Sequence, residues 1–178
     1  MDKVVVSVCK ETSKELENLI NNAYLEGERG IFPWDNKENT RLKSNSESIQ
    51  KYISRGEILV AHVYGQLAGS VRLDTKDQPG MVGQLAVSSE YRKCGVGAKL
   101  QEYCQEYAKL NFGMKKLTIE FINPTEFEHE FKTFLHAWYQ RLGFVVVKET
   151  AVEDHPVYSN LGKILLTPCK FVELEKEI

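Results

Sequence analysis

Residues 81–112 read MVGQLAVSSEYRKCGVGAKLQEYCQEYAKLNF. An apolar run, Met81 to Val87, gives way to a polar turn, Ser88 to Arg92. A short loop from Lys93 to Gly97 follows and carries Gly95 and Gly97. Leu100, Tyr103, Cys104, Tyr107 and Ala108 then recur at intervals of three and four, which predicts a helix. Strand, glycine loop and helix in that order aim backbone N–H groups at an anion. Glycine has no Cβ to hold the main chain off a phosphate. The first N–H groups of a helix have no acceptor within it, so that end is partially positive. The stretch reads as a diphosphate-binding element.

On either side the chain alternates strands and helices. Upstream, Val4 to Cys9 predicts a strand and Thr12-Ser13 the start of a helix, with Leu16, Leu19, Ile20, Ala23 and Tyr24 on its apolar face. Ser46 to Ser54 predicts a second helix. Glu57 to Tyr64 and Leu67 to Leu73 predict a hairpin turning at Gly65-Gln66, with Gly65 first in a two-residue loop. Downstream, Gly113 ends the helix of the opening stretch, a place where glycine accepts a positive φ. Lys116 to Ile122 predicts a strand, and Glu126 to Leu142 a segment helical in its second half. The predicted apolar face of that helix is Phe131, Phe134, Leu135, Trp138 and Leu142. Phe144 to Lys148 and Lys170 to Glu175 predict the last strands. Between the first two helices, the polar stretch from Glu26 to Lys43 holds Ile31, Phe32, Pro33 and Trp34 beside the acids Glu26, Glu28 and Asp35. It reads either as a pocket wall that attracts a cation or as a surface loop pinned to the core by its aromatics. Hairpins before the glycine loop and a helical crossover after it predict an α/β (α+β) fold with a mixed sheet between helices.

Composition narrows the function. The chain has 178 residues, enough for one domain, 1–178, with a real core. A net charge of −2 gives no reason to expect nucleic acid, which favours a basic surplus or stripe. No apolar run approaches the roughly 20 residues that cross a bilayer. Val4 to Val8 is too short for a signal peptide and is followed by Lys10, Glu11 and Lys14. Cys9, Cys94, Cys104 and Cys169 are scattered, with no CxxC and no His at metal spacing. Reduced thiols, no metal site and a cytoplasmic location are the expectations. Cys94, beside Lys93 and a helix start, reads as a reactive thiol or as a small residue tolerated in a loop.

Three phosphate motifs compete for the glycine loop. A P-loop needs GxxxxGK followed by Ser or Thr, and none is present. A dinucleotide fingerprint needs a third small residue, but Gly95-Val96-Gly97 is followed by Ala98, Lys99 and Leu100. Arg92-Lys93-Cys94-Gly95-Val96-Gly97 resembles the Q/R-x-x-G-x-G/A signature of the GNAT superfamily of N-acetyltransferases. Leu85-Ala86-Val87 before its polar turn resembles the family's cofactor strand. Trp138 to Phe144 is similar to its W/F-Y-x-x-L-G-F segment, and Gly65 to Val71 to its central hairpin. The resemblance spans nearly the whole chain and is firmest from Ile58 to Val147. One departure stands out: many members carry Asn about seven residues before the Tyr, where this chain has Lys132.

The resemblance implies acetyl-CoA as co-substrate, held at a splayed strand pair, and direct transfer of its acetyl group to a primary amine of a small molecule or protein. It implies that the backbone of Leu85, Ala86 and Val87 pairs with the pantetheine arm, with one amide, at Val87, on the thioester carbonyl oxygen. That donor matters most when the oxygen becomes an oxyanion. The amides of Lys93, Cys94, Gly95, Val96, Gly97 and Ala98 are implied to hold the pyrophosphate, with Arg92 adding charge. Tyr139 looks like the family's general acid, since a phenol titrating near about 10 is protonated at neutral pH and can protonate the departing thiolate. Tyr139 also reads as core packing beside Trp138 and Leu142. Glu120, an acid within the apolar run KLTIEFI, is the candidate general base. Gln84 precedes Leu85 where a carboxylate would serve, but an amide takes no proton. His136, three residues before Tyr139, reads more simply as a packed or surface histidine, and His155, Pro156 and Tyr158 lie in a loop that could border the substrate. A non-catalytic acyl-CoA-binding sensor is the alternative on the same fold. It would keep the glycines and need no proton donor. A homodimer is compatible with the sequence, though nothing in it marks an interface.

Overall fold

The structure, a computed structural model, describes residues 4–33 and 44–178; Trp34 and Asp35 lie outside the described residues. Among the described residues seven strands and four α-helices make an α/β fold, and these strands belong to one sheet. The described residues divide into two compact units: 4–24 with 44–117 and 178, and 25–33 with 118–177.

In the first unit β1 (Val4–Val8), β2 (Ile58–Val63), β3 (Gln66–Asp74) and β4 (Gly80–Val87) pair antiparallel in that order. Every residue of β2 is buried except His62, as expected of a strand with neighbours on both sides. The β2–β3 loop is Tyr64-Gly65, because Val63 pairs with Gln66. This corrects the expected Gly65-Gln66 turn by one residue. Both loop residues have positive φ, 50° and 80°, which is the pair of values a tight hairpin of matching twist requires. Glycine therefore takes the second position, and Tyr64 bears the strained first one.

Helices α1 (Lys14–Gly27) and α2 (Ser46–Ser54) supply the apolar layer over these strands. Leu16 and Ile20 of α1 and Ile49 and Ile53 of α2 are buried with Ile58, Val60 and Ala86 in one cluster. The α2 start is a reciprocal cap: Asn45 Oδ1 accepts from the Ser48 N–H at 2.8 Å, and the Asn45 N–H donates to Ser48 Oγ at 3.2 Å. Glu57, fully buried ahead of β2, accepts from Arg72 Nε at 3.0 Å, and the Arg72 guanidinium lies 3.7 Å from the centroid of the Tyr52 ring on α2. A buried carboxylate needs such partners to offset its lost hydration.

Helix α3 (Val96–Phe112) packs on β3 through Gly69. A Cβ there would stand 2.9 Å from Val96 Cγ1, Leu100 Cδ1 and the Ala86 carbonyl oxygen, so only glycine lets the helix start come this close. Gly113 closes α3 at φ 62°, as its position predicted.

In the second unit β7 (Cys169–Glu177) lies between β5 (Lys116–Pro124) and the edge strand β6 (Val145–Ala151), with β6 and β7 antiparallel. Ile31, Phe32, Ile122, Val152, Leu161, Cys169 and Phe171 form its core cluster. The aromatic Phe32 is thus packed inside, which favours the pinned-loop reading of that segment. Helix α4 (Glu130–Arg141) turns a different face inward from the one expected: Phe131 and Phe134 are exposed, and Lys132 and Tyr139 are buried. The reason is a charge. Lys132 Nζ donates to Glu28 Oε1 at 3.2 Å, with both side chains buried. Glu28 is therefore paired within the fold, which speaks against the cation-attracting alternative for that segment.

Candidate active site

The predicted cofactor residues are contiguous in the first unit. The β3–β4 register shifts: Ser70 pairs with Ala86, whereas Arg72 pairs with Gly83, so β4 carries one extra residue. Gln84 takes that bulge with φ 49°. Its N–H donates to Tyr24 Oη at 3.1 Å and its Nε2 to Ser44 Oγ at 3.2 Å. Ser44 is itself gripped by Asn21, whose Oδ1 accepts from the Ser44 N–H and whose Nδ2 donates to the Ser44 carbonyl, both at 2.9 Å.

Beyond the bulge, the Ser88 N–H donates to the Ala68 carbonyl at 2.9 Å. Ala68–Ser88 is thus a hydrogen-bonded pair, and alternation makes Gly69–Val87 a non-bonded one. The Val87 N–H therefore points away from β3. Ala86 directs its own N–H toward β3. Of the three residues expected to pair with an extended ligand, Val87 thus directs its N–H away from β3 and Ala86 toward it.

A short 3-10 turn, Ser89–Tyr91, leads from β4 to the glycine loop. Lys93 and Gly95 both have positive φ, 65° and 79°. Backbones that alternate handedness in this way gather N–H groups into an anion-binding concavity. The helix begins at Val96, so Gly97 and Ala98 lie in its first turn and not in the loop. The first intrahelical bond runs from the Lys99 N–H to the Gly95 carbonyl, 3.0 Å. Gly95 provides no side-chain cap, and the first turn holds no acid. The positive end of a 17-residue helix is left to whatever binds there. A Cβ on Gly95 would meet nothing within 4 Å, so the space before the helix is open. Arg92, Lys93 and Cys94 are exposed around it, while Val96 is buried and anchors the turn. This donor set, with two cationic side chains beside it and no acid in the first turn of the helix, fits a diphosphate. The Cys94 thiol turns back to the Arg92 carbonyl at 3.7 Å.

The predicted proton-transfer residues lie in the second unit, on opposite faces of β5. Tyr139 is buried against the rings of Phe121 (centroids 6.4 Å apart), Phe144 (5.8 Å) and Trp138 (5.0 Å). Glu120, the neighbour of Phe121, points the other way, and its Oε2 lies 3.1 Å from His155 Nε2. Sequence reasoning left His155 unassigned, because its partner is 35 residues distant and no local pattern announces the pairing. His136 stacks edge-on against Phe121 at 6.1 Å, in keeping with a packed histidine. Among the described residues no cluster of side chains could hold a metal ion, and no helix is long and apolar enough to cross a membrane. The cysteines are all free; Cys94 alone is exposed.

Comparison with known proteins agrees with this geometry. A family model described as an acetyltransferase (GNAT) domain matches residues 54–146, more than half of the chain. A GNAT family acetyltransferase from Elizabethkingia anophelis with acetyl-CoA bound is similar over 100% of both chains, at 20% identity and a TM-score of 0.66. A Bacillus subtilis acetyltransferase in complex with CoA is similar over 99% of both chains, at 21% identity and a TM-score of 0.66. An acetyltransferase from Bacillus anthracis in complex with acetyl coenzyme A shares 20% identity and a TM-score of 0.55; the match covers 68% of this chain and spans 61% of that one. No curated protein matches in sequence. GNAT enzymes use acetyl-CoA as their co-substrate, and with its strands, glycine loop and family model in agreement, the chain belongs to the GNAT family of acetyltransferases.

Proposed function

We propose that the protein is a cytoplasmic N-acetyltransferase, 1–178 acting as one domain, that passes the acetyl group of acetyl-CoA directly to a primary amine of a small molecule or protein. The observation that supports it most is the α3 start: a 17-residue helix with no side-chain cap and no first-turn acid, facing open space before Gly95. The bound thioester supplies an activated acyl group and a thiolate leaving group. The residues of this chain do the rest. The N–H groups of Lys93 and of Gly95 to Ala98 hold the diphosphate, with Arg92 and Lys93 adding charge, while the Cys94 N–H is kept by the Tyr91 carbonyl at 3.3 Å. Leu85 and Val87 offer backbone pairing along β4, and the Val87 N–H stabilises negative charge as it develops on the acyl oxygen.

Two protons must move. An ammonium has no lone pair for attack, so Glu120 takes its proton; the thiolate leaves more readily when Tyr139 donates one. The opposite orientation of these side chains about β5 suits the division, with acceptance on one face and donation on the other. Burial of Tyr139 among three aromatic rings fixes the ring that carries this hydroxyl. Direct transfer, without a covalent enzyme intermediate, is the reading in keeping with an exposed Cys94 that belongs to the diphosphate loop.

The test is an amine panel (polyamines, amino acids, aminoglycosides and peptide N-termini) assayed by free-thiol release from acetyl-CoA. Turnover of at least one amine, absent without enzyme and without amine, is the expected result. Tight acetyl-CoA binding with no turnover across the panel would favour the sensor instead.

A further inference from the structure

His155 follows β6 and is buried, and both of its ring nitrogens are engaged. Nδ1 faces two backbone donors at once, the N–H groups of Val157 at 3.1 Å and Tyr158 at 3.0 Å. A ring nitrogen that accepts N–H groups directs its lone pair at them and carries no proton. The proton of the neutral imidazole is therefore on Nε2, and this N–H donates to Oε2 of Glu120 across 3.1 Å. The ring plane is held as well, by Phe171 at 4.4 Å and Tyr158 at 5.0 Å between centroids. A second proton on the ring would have to sit on Nδ1 and face two donors, so His155 is poorly suited to relay protons. What it can do is hold one oxygen of a carboxylate.

We propose that His155 is the positioning residue of Glu120: its fixed Nε2–H occupies Oε2 and leaves Oε1 to receive the proton of the acceptor ammonium. Oε1 has no hydrogen-bond partner among the described residues. The proposal rests on reading Glu120 as the base. In the step, the N–H bond of the ammonium breaks, its electron pair stays on nitrogen, and the proton bonds to Oε1. The carboxylate becomes a neutral acid that still accepts from His155, which keeps its own proton throughout. Proper aim matters because proton transfer needs the two heavy atoms within hydrogen-bond reach. A carboxylate free to rotate would offer that geometry only part of the time.

Two measurements test it together. Protein labelled with 15N-histidine should show His155, identified by its loss in His155→Gln, with an unprotonated Nδ1 and a protonated, slowly exchanging Nε2. A proton on Nδ1 would overturn the proposal whether or not any variant folds. In thiol-release assays with the fastest amine of the panel, His155→Phe should lower kcat about tenfold and leave the acetyl-CoA KM unchanged. His155→Gln, which restores an N–H at the Nε2 position, should recover much of that loss. Because His155 acts through Glu120, adding His155→Phe to Glu120→Gln should cost nothing further. Slow Glu120→Gln with full-rate His155→Phe would sink the positioning role and spare the base. Full-rate Glu120→Gln would sink the base itself, and the positioning role with it.

Discussion

At Gly97 a glutamate would put a carboxylate into the first turn of α3, at the helix end that favours anions from outside. Gly97→Glu should fold and should lose acetyl-CoA binding, read by titration calorimetry; retained micromolar affinity would remove the diphosphate from this loop. Tyr139 carries a separate claim. Tyr139→Phe keeps the ring among Phe121, Trp138 and Phe144 and deletes only the hydroxyl. Turnover should fall on the order of 10²-fold with acetyl-CoA affinity nearly unchanged, the loss typical of a positioned acid. An unchanged kcat would mean that water protonates the thiolate. The cysteines separate by burial. Desolvation pushes the Cys104 thiol up to about 12 from an ordinary 9.0. The folded state thus holds that proton more tightly, so the stability it contributes is complete below 9.0 and is lost as pH rises toward about 12. Native-state alkylation near neutral pH, followed by mass spectrometry, should modify Cys94 and leave Cys104 untouched. Labelling of Cys104 at the same rate would contradict its burial.

At the scale of elements, two local devices hold helices in place and each has a cost when removed. Asn45 caps α2, and Asn45→Ala should lower stability by about 1 kcal/mol in denaturant unfolding, with little effect on acetyl-CoA binding. Gly69 lets α3 approach β3, and its neighbours include the rigid Ala86 carbonyl at 2.9 Å. Gly69→Ala should therefore cost about 1–3 kcal/mol, as overpacking does. It should also weaken acetyl-CoA binding, because the helix start that would hold the diphosphate must move. Equal loss of binding in both variants would show that stability, not the placement of α3, controls affinity. These elements were unequally legible. The C-terminal end of α3 could be read from Gly113 because a positive φ leaves a residue signature, whereas its start at Val96 falls inside the stretch from Lys93 to Gly97 that reads as loop. The hairpin was read one residue late because Tyr64 adopts a positive φ that its chemistry does not advertise. The α4 face was misread because periodicity counts Phe131 and Phe134 as interior and a lysine as exterior, while Lys132 finds a buried carboxylate 104 residues away.

For the whole molecule, sequence order was enough to give an α/β fold and the glycine loop's ligand class, since both follow from short-range patterns in a recognisable succession. What it did not give depends on pairing over distance. The β4 bulge at Gln84 exists only relative to β3, and so does the direction of the Val87 N–H. The His155–Glu120 contact likewise needs the chain after β6 brought to β5. Acceptor identity is a different matter, since one fold and cofactor site serve many specificities. The central claim is that this protein binds acetyl-CoA through the loop from Arg92 to Ala98. Thermal unfolding of the wild type and of Gly97→Glu, each with acetyl-CoA, CoA and NAD, tests it most directly. A ligand at a hundred times its dissociation constant stabilises the native state by about 2.7 kcal/mol, a shift of several degrees for a chain of this size. The account predicts that shift for both CoA species with the wild type, none with NAD, and none for the variant. No shift with either CoA species, or an equal shift in the variant, would contradict it.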